Sequence, residues 1–362
     1  MNRRPTPLWQ RLTAGALAVL MALPCTAQAQ VRLPALGESA SSDLTVGAEK
    51  RLGDQIMLMG RRDPSYYDDP VLLEYLQSLW NPLVAAARQR GDITTDTDDA
   101  FAWEIFLMRE RSVNAFALPG GYVGVHLGLI ALTTARDQLA SVLAHELAHV
   151  TQRHIARSIA PQQTASMVAL AAMILGLIAA SQTGNADMAN AALASGQGAA
   201  AQGQLNFSRD MEREADRVGY GILGAAGFST AGMGAMFEKM DFATRLSDNG
   251  SFPYLRSHPL TVDRISEARS RSLLDSGAPP GPPLHHVLMQ MRARVLMDDS
   301  VLALQRLGGE TSSPLLLDRL AALYGGAMAA TLLNDHPRAE AQAGEALRLA
   351  ATAAPREPAA EV

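Results

Sequence analysis

The sequence predicts a mainly helical α+β chain, with a small β-sheet early in the main domain and a short all-helical tail. Three observations carry that expectation. Hydrophobic residues make up 48% of the 362, but aromatic ones only 5%, and the Ala, Leu and Met that fill the difference favour helix. Apolar residues recur three and four apart along most of the chain, the period of a helix with one buried face. Only two stretches between residues 100 and 127 have an extended, strand-like pattern.

Residues 1–29 are a separate object. Arg3, Arg4 and Arg11 precede an apolar run over 12–23, and Ala27-Gln28-Ala29 is a small-x-small site. That order is the order of a secretory signal peptide, and the apolar run is too short to span a bilayer well. Cleavage after Ala29 would remove Cys25, the single cysteine of the chain. The mature chain would then have no disulfide, no cysteine nucleophile and no thiolate metal site. The whole chain carries a net charge of −5, made more acidic by loss of the three arginines. With no long basic run, nothing calls for nucleic acid. The expected location is the periplasm.

Residues 30–275 form the expected main domain. Residues 44–88 read as helices, with Leu72, Leu73, Tyr75, Leu76, Leu79 and Trp80 at helical spacing. Residues 100–107 and 122–127 read as strands, and the segment between them, residues 114–121, ends in the turn signal Pro119-Gly120-Gly121. One helix is expected over 137–158, with Leu139, Val142, Leu143, Leu147 and Val150 as its apolar stripe. Residues 167–180 contain no polar side chain. At fourteen residues the run is short for a membrane span, and suits a buried or lid-like helix, or a peripheral membrane contact. Residues 181–204 are rich in Ala, Gly, Gln and Asn with little pattern. Further helices are expected over 208–226, 231–246 and 261–274. A Pro/Gly linker over 276–283 leads to the helical tail, 284–350, and residues 351–362 are expected to be disordered.

His145-Glu146-Leu147-Ala148-His149 is H-E-x-x-H inside a helical pattern. Residues four apart share a helix face, so both imidazoles can reach one Zn²⁺. Glu146 is turned about a quarter of a revolution away, where it can meet an attacking water as general base without becoming a ligand. A catalytic zinc site needs a third protein ligand, and without cysteine it must be His, Asp or Glu. Glu212 and Asp216 lie four apart on the second amphipathic helix, with Glu212 placed to ligate and Asp216 to orient a ligand imidazole. Glu214 qualifies by type but lies on another side of that helix, and spacing alone leaves the choice open. His154 is five residues past His149, so it is expected on another face, at the surface. His126 is expected to be exposed, and His285, His286 and His336 are assigned no chemistry.

His145-Glu146-x-x-His149 together with Ser208-Arg209-x-x-Glu212-x-x-Ala215-Asp216 resembles the gluzincin metallopeptidases related to HtpX and the CAAX prenyl proteases. Asn114-Ala115-Phe116-Ala117-Leu118-Pro119-Gly120-Gly121 and Ser257-His258-Pro259-Leu260 with Arg264-Ile265 resemble further motifs of that family, in the same order. The likeness spans residues 44–274 and is strongest toward periplasmic BepA-like proteins, which join this domain to a C-terminal tetratricopeptide module and act in outer-membrane protein assembly and quality control. The resemblance implies Glu212 as third ligand to one zinc and Asp216 as partner of a ligand histidine. It implies His258 as a reversible fourth ligand or an oxyanion donor, and Arg264 as a contributor to the same transition state. It makes Tyr122, Val123, Gly124 and Val125 the edge strand for an extended substrate, and residues 167–180 a lid. The implied activity is endoproteolysis of unfolded or misassembled polypeptides, with outer-membrane assembly machinery as partner. The alternative is a chaperone-like assembly factor whose protease is normally shut. In the tail, Ala327, Ala339 and Ala346 have the spacing of small positions in one tetratricopeptide repeat, and a plain helical cap on the main domain is the other reading.

Overall fold

The computed structural model describes residues 44–158, 209–246, 251–274, 283–307 and 313–352. The expected signal peptide, the apolar run 167–180 with its continuation to 204, most of the Pro/Gly linker and residues 353–362 lie outside the described residues.

Chain order runs from α1 (Val46–Gly60) through β1 (Tyr66–Tyr67), α2 (Pro70–Arg90), α3 (Thr95–Ala100), β2 (Glu104–Met108), β3 (Ala115–Leu118) and β4 (Tyr122–His126) to α4 (Leu127–Leu132). The helices α5 (Arg136–Thr151), α6 (His154–Ser158), α7 (Arg209–Ala225), α8 (Ala231–Leu246), α9 (Tyr254–Ser257) and α10 (Val262–Leu274) complete the main part. The tail holds α11 (Pro283–Met297), α12 (Val301–Leu307), α13 (Leu316–Leu332) and α14 (His336–Thr352). The mainly helical α+β class with a small sheet is the architecture observed.

Local chemistry sets the boundaries. The Asp69 side chain accepts from Leu72 N–H to cap α2, Pro70 stands in its first turn, and Gly91 ends it at φ +79°, the left-handed conformation that glycine adopts without strain. Thr94 caps α3 through Thr97 N–H, so residues 95–100 are helix, and the strand expected from residue 100 starts at Glu104.

The sheet has the order β1-β2-β4-β3. β2 and β4 run parallel, from Glu104 opposite Tyr122 to Met108 opposite His126. β3 runs antiparallel to β4, from Ala115 opposite Val125 to Leu118 opposite Tyr122. This corrects the expected edge strand: Tyr122, Val123, Gly124 and Val125 are paired on both sides, and among the described residues the edges of the sheet are β1 and β3. Gly120 and Gly121, at φ +77° and +87°, reverse the chain so that β3 folds back outside β4, while β2 takes β4's other side. The Pro-Gly-Gly turn thus puts the edge before itself, not after it.

α5 is the central helix, with every residue from Asp137 to Val150 buried. α7 crosses it closely: a β-carbon on Gly219 would lie 3.0 Å from the Ala144 carbonyl oxygen, so a glycine lets the two backbones approach without crowding. That contact brings Glu212 and Asp216 beside His145. The helix expected over 137–158 is broken, because Arg153 adopts φ +51° and sets α6 off in a new direction. The tail enters the same core through Leu284, Leu288, Met289, Ala293 and Leu296 of α11. His286 of α11 is buried and bridges two elements: Tyr75 O–H donates to its Nδ1 at 2.6 Å, and its Nε2–H donates to the Thr133 carbonyl at 3.1 Å.

Candidate metal centre

Four side chains from three elements converge. α5 supplies His145 and His149, α7 supplies Glu212, and the residue after α9 supplies His258. One ligand atom of each lies within 4.8 Å of all the others, and all four are buried. His145 Nε2 and His149 Nε2 are 3.0 Å apart. The Glu212 carboxylate lies 3.5 Å from the first and 3.4 Å from the second. His258 Nδ1 is 3.0 Å from Glu212 Oε1 and 3.4 Å from His145 Nε2.

This donor set fits a zinc ion. Two imidazole nitrogens and a carboxylate are a known set of three for a catalytic zinc. Three nitrogens aimed at one point repel or leave lone pairs unused unless a cation or protons reconcile them. Glu146 completes the picture: it is fully buried, and both its oxygens lack a hydrogen-bond partner among the described residues. An acceptor held dry and unsatisfied beside His258, 3.6 Å from its Nε2, is an acceptor reserved for something that enters.

Behind the cluster, Asp216 Oδ1 lies 3.0 Å from His145 Nδ1. Arg264 grips the opposite side of that carboxylate, Nε to Oδ2 at 2.6 Å and Nη2 to Oδ1 at 2.8 Å. Its Nη1 reaches Glu212 Oε2 at 2.9 Å and donates to the Pro259 carbonyl at 2.8 Å. The resemblance implied a contribution of Arg264 to the transition state. Its three side-chain nitrogens face Asp216, Glu212 and the Pro259 carbonyl.

The electrostatics reflect burial and pairing. Burial pushes the Glu146 carboxyl up, as it does any carboxylate taken out of water. Burial opposes charge on His145, yet the Asp216 and Glu212 carboxylates outweigh it and raise the imidazole to about 9. Burial pushes His149 well down. Glu212 is held far below the usual carboxylate range: burial works to raise it, and His258, His145 and His149 overcome that. One centre therefore combines an ionised acid, a base disposed to hold a proton, and two imidazoles of opposite tendency.

Two further sequence expectations are overturned. His154 is not at the surface: it is fully buried, with Nδ1 2.9 Å from His149 Nδ1 and Nε2 3.1 Å from Glu214 Oε2. Helical spacing misplaced it because the helix breaks at Arg153. His126 is also fully buried, 2.8 Å from Ser112 Oγ. Tyr254 was not singled out from the sequence at all. It is 1% exposed, and its ring stacks on His258 with centroids 4.6 Å apart. Its only sequence signal is its place one helical turn before His258.

Comparison with known proteins agrees with this geometry. The model of peptidase family M48 matches residues 74–272. The β-barrel assembly-enhancing protease of Escherichia coli K12 is 33% identical over 257 residues, covering 71% of this chain and 50% of that protein. Its Vibrio cholerae serotype O1 counterpart is 40% identical over 272 residues, covering 72% and 52%. The mitochondrial metalloendopeptidase OMA1 of Schizosaccharomyces pombe is 34% identical over 163 residues, covering 45% and 44%. The chain spans about half the length of the curated relatives it matches. Since the matched segment takes in both the H-E-x-x-H helix and the helix bearing Glu212, the chain belongs to peptidase family M48, a family of metalloproteases.

Proposed function

We propose that this chain is a zinc endopeptidase that cuts extended or misassembled polypeptides, and that it serves the assembly and quality control of outer-membrane β-barrel proteins. The observation that carries the enzymatic half is the convergence of His145, His149 and Glu212 beside a buried, unsatisfied Glu146. The cellular half is supported by the names of the relatives, β-barrel assembly-enhancing proteases.

His145, His149 and Glu212 would hold the metal. Zinc, when bound, supplies Lewis acidity, making a water more acidic and stabilising negative charge on a carbonyl oxygen. Glu146 takes the proton from the attacking water and returns it to the leaving amine, a task suited to a carboxyl whose pKa burial has raised. Asp216 fixes the His145 ring, and Arg264 fixes Asp216 and Glu212. The open edge of β3 offers backbone groups to an extended chain, which gives affinity with little demand on sequence. Folded proteins rarely present such a strand, so unfolded or unassembled ones are the substrates.

The order of residues 1–29 supports export to the periplasm through a cleaved signal peptide. Among the described residues no helix is long and apolar enough to cross a membrane. We read α13 and α14, an antiparallel pair, as a tetratricopeptide-like surface for assembly machinery.

The test compares zinc content and cleavage of an unfolded protein in wild type, Glu146→Gln and Glu212→Gln. Glu146→Gln keeps zinc and loses cleavage, and Glu212→Gln loses zinc. A wild type without zinc ends the proposal. One observation favours a second reading, a chaperone-like factor with a shut site: His258 stands within the ligand cluster itself. On that reading His258→Ala raises proteolysis; a lower rate with zinc retained assigns His258 to the chemistry instead.

A further inference from the structure

His149 is backed differently from His145, whose Nδ1 meets the Asp216 carboxylate. The Nδ1 of His149 faces another histidine, His154 Nδ1, at 2.9 Å. His154 Nε2 in turn lies 3.1 Å from Glu214 Oε2, and Arg157 Nη1 is 2.8 Å from the same oxygen. His154 is fully buried, while Glu214 and Arg157 sit at the surface end of the row.

From this we infer that His154 is a positioning residue for the metal centre, relaying the orienting pull of Glu214 to His149. The inference rests on the reading of His149 as a metal ligand. The relay has one consistent proton assignment. His149 ligates through Nε2, the nitrogen facing the cluster, so its proton is on Nδ1. Two nitrogens 2.9 Å apart need one donor and one acceptor, so His154 Nδ1 accepts and its own proton is on Nε2. That proton points at a carboxylate, which accepts it. Ligand histidines ordinarily donate their second N–H directly to a carboxylate or carbonyl, fixing ring and tautomer. Here a second imidazole lengthens the reach.

The backbone is shaped for this. On an unbroken helix a residue five past His149 would turn away from it. Arg153 breaks the helix at φ +51°, a left-handed conformation that is strained for a non-glycine residue. Its side chain is held on the far side: Nε donates to Glu49 Oε2 at 2.8 Å and Nη2 to the Leu44 carbonyl at 2.6 Å. α1 thus pins the break that folds His154 back beneath His149.

The test uses the full chain loaded with zinc. Histidine side-chain ¹⁵N–¹H correlation spectra show His149 protonated at Nδ1 and His154 at Nε2; a His154 ring protonated at Nδ1 overturns the relay. Zinc release into excess chelator is about 10- to 100-fold faster in His154→Leu. His154→Asn, whose carboxamide oxygen falls where Nδ1 stood, restores slow release. Release at the wild-type rate in His154→Leu overturns the inference and leaves the peptidase reading intact. A wild type that holds no zinc removes both, and the tautomers stay decisive if His154→Leu does not fold.

Discussion

His145 and His149 sit one turn apart on α5, yet the two sides of the molecule hold them by opposite means. On the α7–α10 side, His145 meets Asp216, and Arg264 seals that carboxylate with side chains only 4% and 8% exposed. On the α6 side, His149 meets a neutral imidazole, and the charges at the end of the row, Arg157 and Glu214, are 37% and 28% exposed. One side is a buried ionic clamp in which every charge depends on its partner. The other keeps charge near water and sends only hydrogen bonds inward. Breaking the first should harm the fold itself, and breaking the second should harm only the hold on the metal.

The largest expected effect lies between the two sides. Glu146→Gln preserves shape and both flanks but removes the base, and should lower kcat/KM for an unfolded substrate by roughly 10³-fold with zinc content unchanged. If zinc is lost as well, Glu146 belongs to the holding apparatus and the division between holding and acting is wrong.

Next comes the ionic clamp. Arg264→Met strips Asp216 and Glu212 of their shared cation inside the protein. Urea unfolding of the metal-free chain should show a loss of about 3–5 kcal/mol, the cost of leaving buried charges uncompensated. A loss near zero would mean that water reaches the clamp and that the two sides do not differ in kind.

These contrasts also separate what was legible in the sequence from what was not. His145 and His149 follow helical spacing on one unbroken helix, and Glu212 and Asp216 on another, so the period of 3.6 put each pair on one face. The element pattern was legible for the same reason. That the two faces meet came from the resemblance, not from spacing. His154 was misplaced because one residue, Arg153, leaves the helical region, and a side chain held 104 positions away by Glu49 gives no local signal. The edge strand was misassigned because a Pro-Gly-Gly reversal tells where the chain turns, not which arm finds another partner. That depends on β2 lying against β4, a long-range choice. Arg264 was singled out through the resemblance, but its contacts with Asp216, Glu212 and the Pro259 carbonyl are ones that spacing does not report.

A third break tests the tail against the site. His286 is buried against Tyr75 and the Thr133 carbonyl, and burial lowers its pKa to about 4. The unfolded chain takes up this proton near pH 6.5 and the folded one only near 4. Between those values the unfolded state binds more protons, so folding stability falls as pH falls through the window. The effect approaches about 3 kcal/mol at its acid end. The difference between wild type and His286→Gln should therefore be large above about pH 6.5 and shrink steadily toward about pH 4. A difference that does not change with pH would place the His286 ring in water, and with it the junction through which α11 joins the core.

The smallest effect sharpens the comparison most directly, because it repeats the Arg264 experiment on the other flank. Arg157→Ala also removes an arginine from a carboxylate at 2.8 Å, but this pair is partly exposed. Water and salt screen such a pair, and it is worth less than about 1 kcal/mol. Glu214 keeps its charge without Arg157 and still accepts from His154 Nε2. The metal-free chain should lose less than about 1 kcal/mol, and zinc release should stay far closer to wild type than in His154→Leu. If Arg157→Ala instead releases zinc as fast as His154→Leu, the relay depends on its outermost charge, and the α6 side is a second ionic clamp whose strength salt should visibly reduce.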